Sequence, residues 1–309
     1  MQLQQAYETF IADKRINGCS KETIRFYNYS VGRLLSFVQK DRVVETDDLG
    51  PQINPYFLHL HESGLSPHSI QALFRGTRAF TRFLLAEGFI ESAIRLPRIK
   101  PTTSVIKPLS VDQMRTVLTS IDTNDFVGLR NWTLLQLFFD TGMRLGEVCR
   151  LDTSHVNLDD GFVLVHGKGG KERWVPVGRE MKKVLWAYMK RRTLCARLGE
   201  PAMFVQQDGT RLSPRGVQMF FKRLKIKLDG VRFSPHTLRH SFALIYIENG
   251  GDPFSLQRIL GHSTQAMTAK YVNMARSNIK AQHDRFSPGH QLLERFLSLL
   301  TVMRNSIHT

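Results

Sequence analysis

Between Phe233 and Tyr271 the chain carries a histidine, an arginine, a second histidine and a tyrosine in an arrangement suited to a phosphodiester. Ser234 is a good N-cap and Pro235 a good first helical residue. His236 and Arg239, three apart, are therefore expected on one face of a helix, close to its N-terminus. Such a helix end attracts phosphate, and an arginine fork there adds bidentate hydrogen bonds to its oxygens. A second helix is predicted from its cap, Asp252, through Pro253 to Leu260, where Gly261 stops it. His262 then falls in the turn, Ser263 caps a third helix, and Tyr271 lies about two turns along it. A histidine at a tight turn, followed by an otherwise polar helix with one tyrosine, points to a site rather than a core. Taken singly, each of these residues is more often structural. The chain itself uses another Ser-Pro-His start at Ser66-Pro67-His68, with Gln71 where Arg239 stands, and that start has nothing to grip a phosphate. The set has to be judged together.

A helix is predicted over 130–140, where Trp132, Leu134, Leu135, Leu137, Phe138 and Phe139 are apolar on most of the circumference, and it must be buried at the centre of its domain. Gly142 ends it and places Arg144 at the start of the next helix. Arg144 and Glu147, three apart, are spaced to pair, and Glu147 is read as structural. An arginine beside a core helix is costly to bury without a second anion, a part that a substrate phosphate would fill. Two β-type runs, Phe162–His166 and residues 173–177, flank Gly167-Lys168-Gly169-Gly170-Lys171 and predict a hairpin with a glycine-rich basic tip. A phosphate-binding P-loop needs a helix after it, and here a strand follows; a lysine at this tip is instead placed to enter a DNA groove. Basic helices are predicted over 181–198 and 213–228, the second a candidate major-groove reader.

Residues 2–96 read as helices with short connections, one starting at Ser20 and one at Ser66-Pro67. Arg75, Arg78 and Arg82 lie between the apolar positions of the latter, either as a solvated face or as a track for a DNA backbone. Pro97, Pro101 and Pro108 then interrupt the helical pattern and mark residues 98–108 as a linker. Ser110 and Gln113 form a capping box where a second domain opens. The expected division is 1–97, a helical DNA-clamp domain; 98–108, the linker; 109–286, a catalytic domain; and 287–309, a tail helix. In the tail, Leu292, Leu293, Phe296, Leu297, Leu300 and Met303 make an apolar stripe.

The bulk composition agrees with a nucleic-acid partner. The 309 residues hold 43 Lys+Arg against 27 Asp+Glu, a formal charge of +16, spread through helical segments rather than packed into one tail. Polyanion binding follows, with duplex DNA the expected partner and anionic membrane the competing one. No apolar run reaches the length of a membrane span and the N-terminus lacks a signal-peptide layout, so a cytoplasmic protein is expected. Cys19, Cys149 and Cys195 have neither disulfide-framework nor zinc-ligand spacing, and His236 and His240 lack the glutamate of a zincin motif. No metal and no cofactor are expected.

With Arg144, Lys168, His236, Arg239, His262 and Tyr271 in view, the chain resembles the tyrosine recombinases, the family of phage integrases and Xer-type recombinases. The resemblance rests on Thr-Gly-Met-Arg-Leu-Gly-Glu at 141–147, Gly-Lys-Gly-Gly-Lys-Glu-Arg at 167–173, His-Thr-Leu-Arg-His at 236–240 and Leu-Gly-His with its tyrosine from 260 to 271. It implies a mainly α fold with a small β-hairpin or sheet, a helical core-binding domain followed by an α+β catalytic domain. It also implies a site-specific recombinase that cuts and rejoins DNA through a 3′-phosphotyrosyl bond, without metal or ATP, as a tetramer on a core site of inverted repeats. On this resemblance Tyr271 is the nucleophile, Arg144, Arg239 and His262 bind the phosphate oxygens, His236 takes the tyrosine proton, and Lys168 is the general acid, with Lys171 its rival. Related enzymes pass a C-terminal helix to the next protomer, a role open to residues 287–309. A type IB topoisomerase shares the phosphotyrosine chemistry, but the two-domain layout and compact size favour the recombinase; a non-catalytic DNA-binding regulator shares the charge but gives no reason for Tyr271 and Lys168 to be in register with the two arginines.

Overall fold

A computed structural model describes residues 1–39, 44–100, 108–167, 170–227, 233–275, 283 and 287. The chain divides into two compact units, Met1–Val105 and Ile106–Thr309. The fold is mostly helical with one small antiparallel sheet.

The first unit packs α1 (Leu3–Ile16), α2 (Lys21–Val38), α3 (Leu49–Glu62) and α4 (Pro67–Ala86). Ser20 and Ser66 cap α2 and α4 by accepting from the backbone N–H three residues on, satisfying donors that have no intrahelical partner. Phe10 lies at the centre, its ring 5.0 Å from Tyr27, 5.4 Å from Phe80 and 5.3 Å from Phe83. Burying such edge-to-face aromatics is the main cohesive force of this unit. Arg75, Arg78 and Arg82 are all exposed on α4. The linker expected at 98–108 falls largely on residues 101–107, outside those described.

The second unit is built on α6 (Phe126–Thr141), longer at both ends than the predicted 130–140 because Asp125 caps it through the Gly128 N–H. Leu134, Leu135, Leu137 and Phe138 are fully buried. α5 (Val111–Thr119) opens the unit with the expected capping box of Ser110 and Gln113. After α7 (Leu145–Cys149) come β1 (Val156–Asn157), β2 (Phe162–His166) and β3 (Glu172–Pro176), in the order β1-β2-β3, all antiparallel. Val163 faces Val175 across the ladder and both are buried, so register and core agree. α8 (Arg179–Cys195) and α10 (Pro235–Glu248) pack on α6, and α9 (Pro214–Lys227) adds Val217, Phe221 and Leu224 to the same core. α11 (Pro253–Leu260) and α12 (Ala266–Met274) complete the described chain.

One boundary differs from expectation. The third helix of the motif region starts at Ala266 rather than after Ser263: the Met267 N–H, which would close a first helical turn onto Ser263 O, bonds Thr264 O at 3.3 Å, and the Ser263 hydroxyl reaches Met267 Sδ at 3.8 Å. The hairpin tip at 168–169 and the tail helix expected at 287–309, apart from Ser287, lie outside the described residues. Among the described residues no helix is long and apolar enough to cross a membrane.

Because Phe138 is fully enclosed beneath α10 and α9, Phe138→Ala is expected to cost about 3–5 kcal/mol through lost burial plus the cavity left behind. Trp174→Ala, at a residue 56% exposed on the same unit, should stay within about 0.5 kcal/mol. Urea unfolding of the two variants measures the contrast; equal losses would place the core elsewhere.

Candidate active site

The site is assembled around the C-terminal end of α11. The carbonyl oxygens of Ile259, Leu260 and Gly261, three in succession, each accept from a different arginine: Arg173 Nε at 2.8 Å, Arg239 Nη2 at 2.8 Å and Arg144 Nη2 at 3.3 Å. Helix C-terminal carbonyls have no intrahelical donors and form the negative end of the macrodipole, so cations bind there favourably. Gly261 ends α11 in the left-handed conformation (φ +63°), and a Cβ there would sit 3.1 Å from Arg173 Nε; only glycine gives both the turn and the space.

Arg239 projects from the first turns of α10, capped by Ser234 as expected. Its second fork nitrogen, Nη1, donates to Gly142 O at 2.7 Å, so one guanidinium ties the end of α6 to the end of α11. It is only 4% exposed; burial, and then Arg144, lower its pKa to about 10, and it stays charged at neutral pH. Gly142 is left-handed (φ +61°), and a Cβ would come within 2.5 Å of the Phe242 ring.

Glu147 is the carboxylate of this frame. It accepts from Arg144 N–H at 2.8 Å and Arg144 Nη1 at 2.9 Å, and from Arg173 Nη1 and Nη2 at 3.0 and 2.9 Å. Burial pushes its carboxyl up, but the Arg173 fork and the Arg144 donors outweigh burial and hold it below its ordinary value. Among the described residues this single carboxylate is paired with Arg144 and Arg173 while Arg239 has only carbonyl partners. Three guanidiniums against one carboxylate leave the frame cationic. Arg144, with 43% of its side chain exposed, is its open face.

Tyr271, on α12, is 2% exposed. Its hydroxyl lies 2.5 Å from Nδ1 of His240, and His240 Nε2 lies 2.9 Å from His236 Nε2. Of a phenol and a neutral imidazole the phenol is the stronger acid, so the hydroxyl donates to Nδ1. His240 is thereby the Nε2–H tautomer, donating to His236. Burial raises Tyr271 to about 12 and, with His236, lowers His240 to about 3. His262 stacks on Tyr271 (centroids 6.2 Å apart, planes at 10°), and its Nδ1 is 2.9 Å from Thr268 Oγ1. Burial and the nearby Arg239 lower His262 to about 4.

The structure thus brings Arg144, Arg239, His262, His236 and Tyr271 into one connected set; Lys168 lies outside the described residues. Lys171, its rival, is exposed, and its carbonyl accepts from Gly167 N–H at 2.7 Å. Three contributors escaped the sequence reading: His240, Arg173 and Thr268. The spacing of His236 and His240, weighed only for metal, was the available signal for the first, since residues four apart on a helix touch. Arg173 followed the basic hairpin tip in the sequence but showed no sign of its glutamate partner 26 residues away.

Comparison with known proteins agrees with this geometry. The profile of the phage integrase family matches residues 107–278, more than half of the chain. "Tyrosine recombinase XerC" of Pseudomonas aeruginosa is 31% identical over 277 residues, covering 87% of this chain and 89% of that protein. "Tyrosine recombinase XerD" of Staphylococcus epidermidis is 31% identical over 290 residues, covering 92% and 98%. Among solved structures, the Tn1549 transposon integrase in complex with a circular intermediate DNA superposes with a TM-score of 0.71 at 21% identity, covering 86% of this chain and 93% of that one. A lambda integrase dimer bound to a COC′ core site gives 0.70 at 19% identity, covering 90% and 79%. At these identities the structural matches establish the fold.

The buried histidines predict an acid-sensitive fold. His240 and His262 stay neutral in the folded state down to about 3 and about 4, whereas both protonate near their ordinary 6.5 once unfolded. The unfolded chain then binds more protons, so the stability contributed by their neutral burial is complete above about pH 6.5 and is lost as pH falls below it, by up to about 1.4 kcal/mol per pH unit for each histidine. Urea midpoints between pH 7 and 5 should fall in wild type and fall less steeply in His262→Asn. An unchanged slope in the variant would contradict this assignment.

Proposed function

Because the chain belongs to the phage integrase family and is a tyrosine recombinase, we propose that it cuts and rejoins duplex DNA at a specific site, with Tyr271 as the nucleophile and Arg144, Arg239 and His262 as the phosphate grip. The observation that carries this reading is the cationic frame: three arginines against one glutamate, next to a histidine and a tyrosine. A phosphate in the transition state carries the charge that such a frame complements. In the reaction the phenolic oxygen attacks phosphorus and the bond to the 5′-oxygen breaks. The product is a 3′-phosphotyrosyl bond and a free 5′-hydroxyl. Phenol is a good enough leaving group for the step to reverse. His236, exposed at the head of α10, is assigned the tyrosine proton, and Lys168 the protonation of the departing oxygen, with Lys171 the alternative donor.

In the same reading residues 1–97 form the DNA clamp, presenting Arg75, Arg78 and Arg82, and residues 98–108 connect it to the catalytic domain at 109–286. The working unit is a tetramer on inverted repeats, with residues 287–309 reaching the neighbouring protomer. A cytoplasmic, nucleoid-bound protein accords with these assignments. Topoisomerase-like relaxation or a purely regulatory role has no specific observation in its favour.

Duplexes selected for binding from a randomised pool, then nicked to trap the cleaved strand, test the chemistry. Tyr271→Phe should bind these duplexes with near wild-type affinity and form no covalent adduct, and Arg239→Ala should slow adduct formation by about 10²-fold or more. Persistent adducts in Tyr271→Phe would overturn the nucleophile. Binding should also weaken steeply with salt, because a chain of charge +16 displaces many counterions; a flat salt dependence would argue against the clamp.

A further inference from the structure

We propose that His240 is a positioning residue that holds the Tyr271 hydroxyl in a resting place inside the fold, so that the nucleophile reaches a phosphate only after this hydrogen bond is broken. The proposal rests on the reading of Tyr271 as the nucleophile.

Three observations carry it. The bond is short, 2.5 Å, and both partners are enclosed, Tyr271 at 2% and His240 at 4% exposure. The ring of Tyr271 stacks on His262, but Arg239 directs both ends of its fork to the carbonyls of Gly142 and Leu260, and Arg144 bonds Glu147 and Gly261, so neither arginine bonds the hydroxyl. The hydroxyl of Tyr271 is instead bonded to an imidazole that belongs to neither the grip nor the open face. His236 completes the holding device. By accepting the Nε2 proton of His240 it fixes the tautomer whose Nδ1 is an acceptor, and so aims that acceptor at the phenol.

The alternative is a proton relay, in which His240 takes the phenolic proton and passes another to His236. Burial raises Tyr271 and lowers His240, and both shifts disfavour that transfer in this arrangement. A hydrogen bond that keeps the proton on the phenol restrains the nucleophile rather than activating it.

Two substitutions separate the ring nitrogens. In His240→Asn the amide reaches the place of Nδ1, and an acceptor for the tyrosine is retained. In His240→Gln the amide reaches the place of Nε2, and the acceptor is lost. Single-turnover adduct formation on the selected nicked duplex at saturating protein should rise about 3- to 10-fold in His240→Gln, the fold-change matching the net worth of one such hydrogen bond. His240→Asn should remain within about twofold of wild type. The full-length protein labelled with 3-fluorotyrosine gives an independent readout, the resonance of Tyr271 being the one that vanishes in Tyr271→Phe. In DNA-free wild type and His240→Asn it should be shielded from a soluble gadolinium chelate, and in His240→Gln it should broaden toward the level of an exposed tyrosine such as Tyr29.

Slower cleavage in His240→Gln, or an unchanged rate with Tyr271 still shielded, would overturn the proposal. If that variant does not fold, a freely broadened wild-type resonance overturns the proposal, and so does an exposed tyrosine in His240→Asn. Adducts formed by Tyr271→Phe would instead overturn the nucleophile assignment, so the two failures are distinguishable.

Discussion

Three consecutive backbone carbonyls at the end of α11, each occupied by a different arginine, are the interaction on which the rest of the site depends. The arginines come from β3, from α10 and from the residue ahead of α7, so a single helix end gathers side chains from distant parts of the chain. Carbonyls at a helix C-terminus need donors, and guanidiniums need acceptors that fit a planar fork; each removes the cost of burying the other. Glu147 then joins two of the three forks. Breaking such a network by removing one member would leave a buried charge without its partner, the costly outcome for any ion pair away from water. The frame is therefore rigid before DNA arrives, as electrostatic catalysis requires, because donors that must reorganise during the reaction lose much of their effect.

Tyr271, the proposed nucleophile, is held differently. The arginines are built into the framework by two or three hydrogen bonds apiece, whereas among the described residues the hydroxyl of Tyr271 has one partner, His240. Its helix, α12, is short, begins at Gln265 without a side-chain cap, and packs on α10 and α11. An element with few anchors is the kind that can change place at modest cost. In the proposed reading the arginine grip and the separately held tyrosine have separate roles, the first recognising a phosphate and the second committing a strand to cleavage. For a protein that breaks DNA, that division keeps the committing step distinct from binding.

Local chemistry made much of this legible in the sequence. Ser234, Asp252, Ser110 and the stop at Gly261 all cap or end helices where the sequence indicates, because capping is decided within a few residues. The pairing of Arg144 with Glu147 was readable for the same reason. Ser263 does not cap because the Met267 N–H turns to Thr264 O and the Ser263 hydroxyl to Met267 Sδ, so the helix opens later. The partners of Arg173 and Tyr271, reached across 86 and 31 residues, left no local mark. Nor did the burial of Tyr271: the otherwise polar helix pointed to a site rather than a core, and only the fold supplies His240 and His262 as its walls.

In the proposed reading this arrangement delivers one oxygen, that of Tyr271, to one side of a phosphodiester. Mass spectrometry of the nucleopeptide released by trypsin from a trapped protein–DNA complex tests it most directly. The account predicts DNA joined through its 3′-phosphate to the peptide that begins at Tyr271, following cleavage after Lys270, with a free 5′-hydroxyl on the other strand end. A linkage at any other residue, or through a 5′-phosphate, would contradict it.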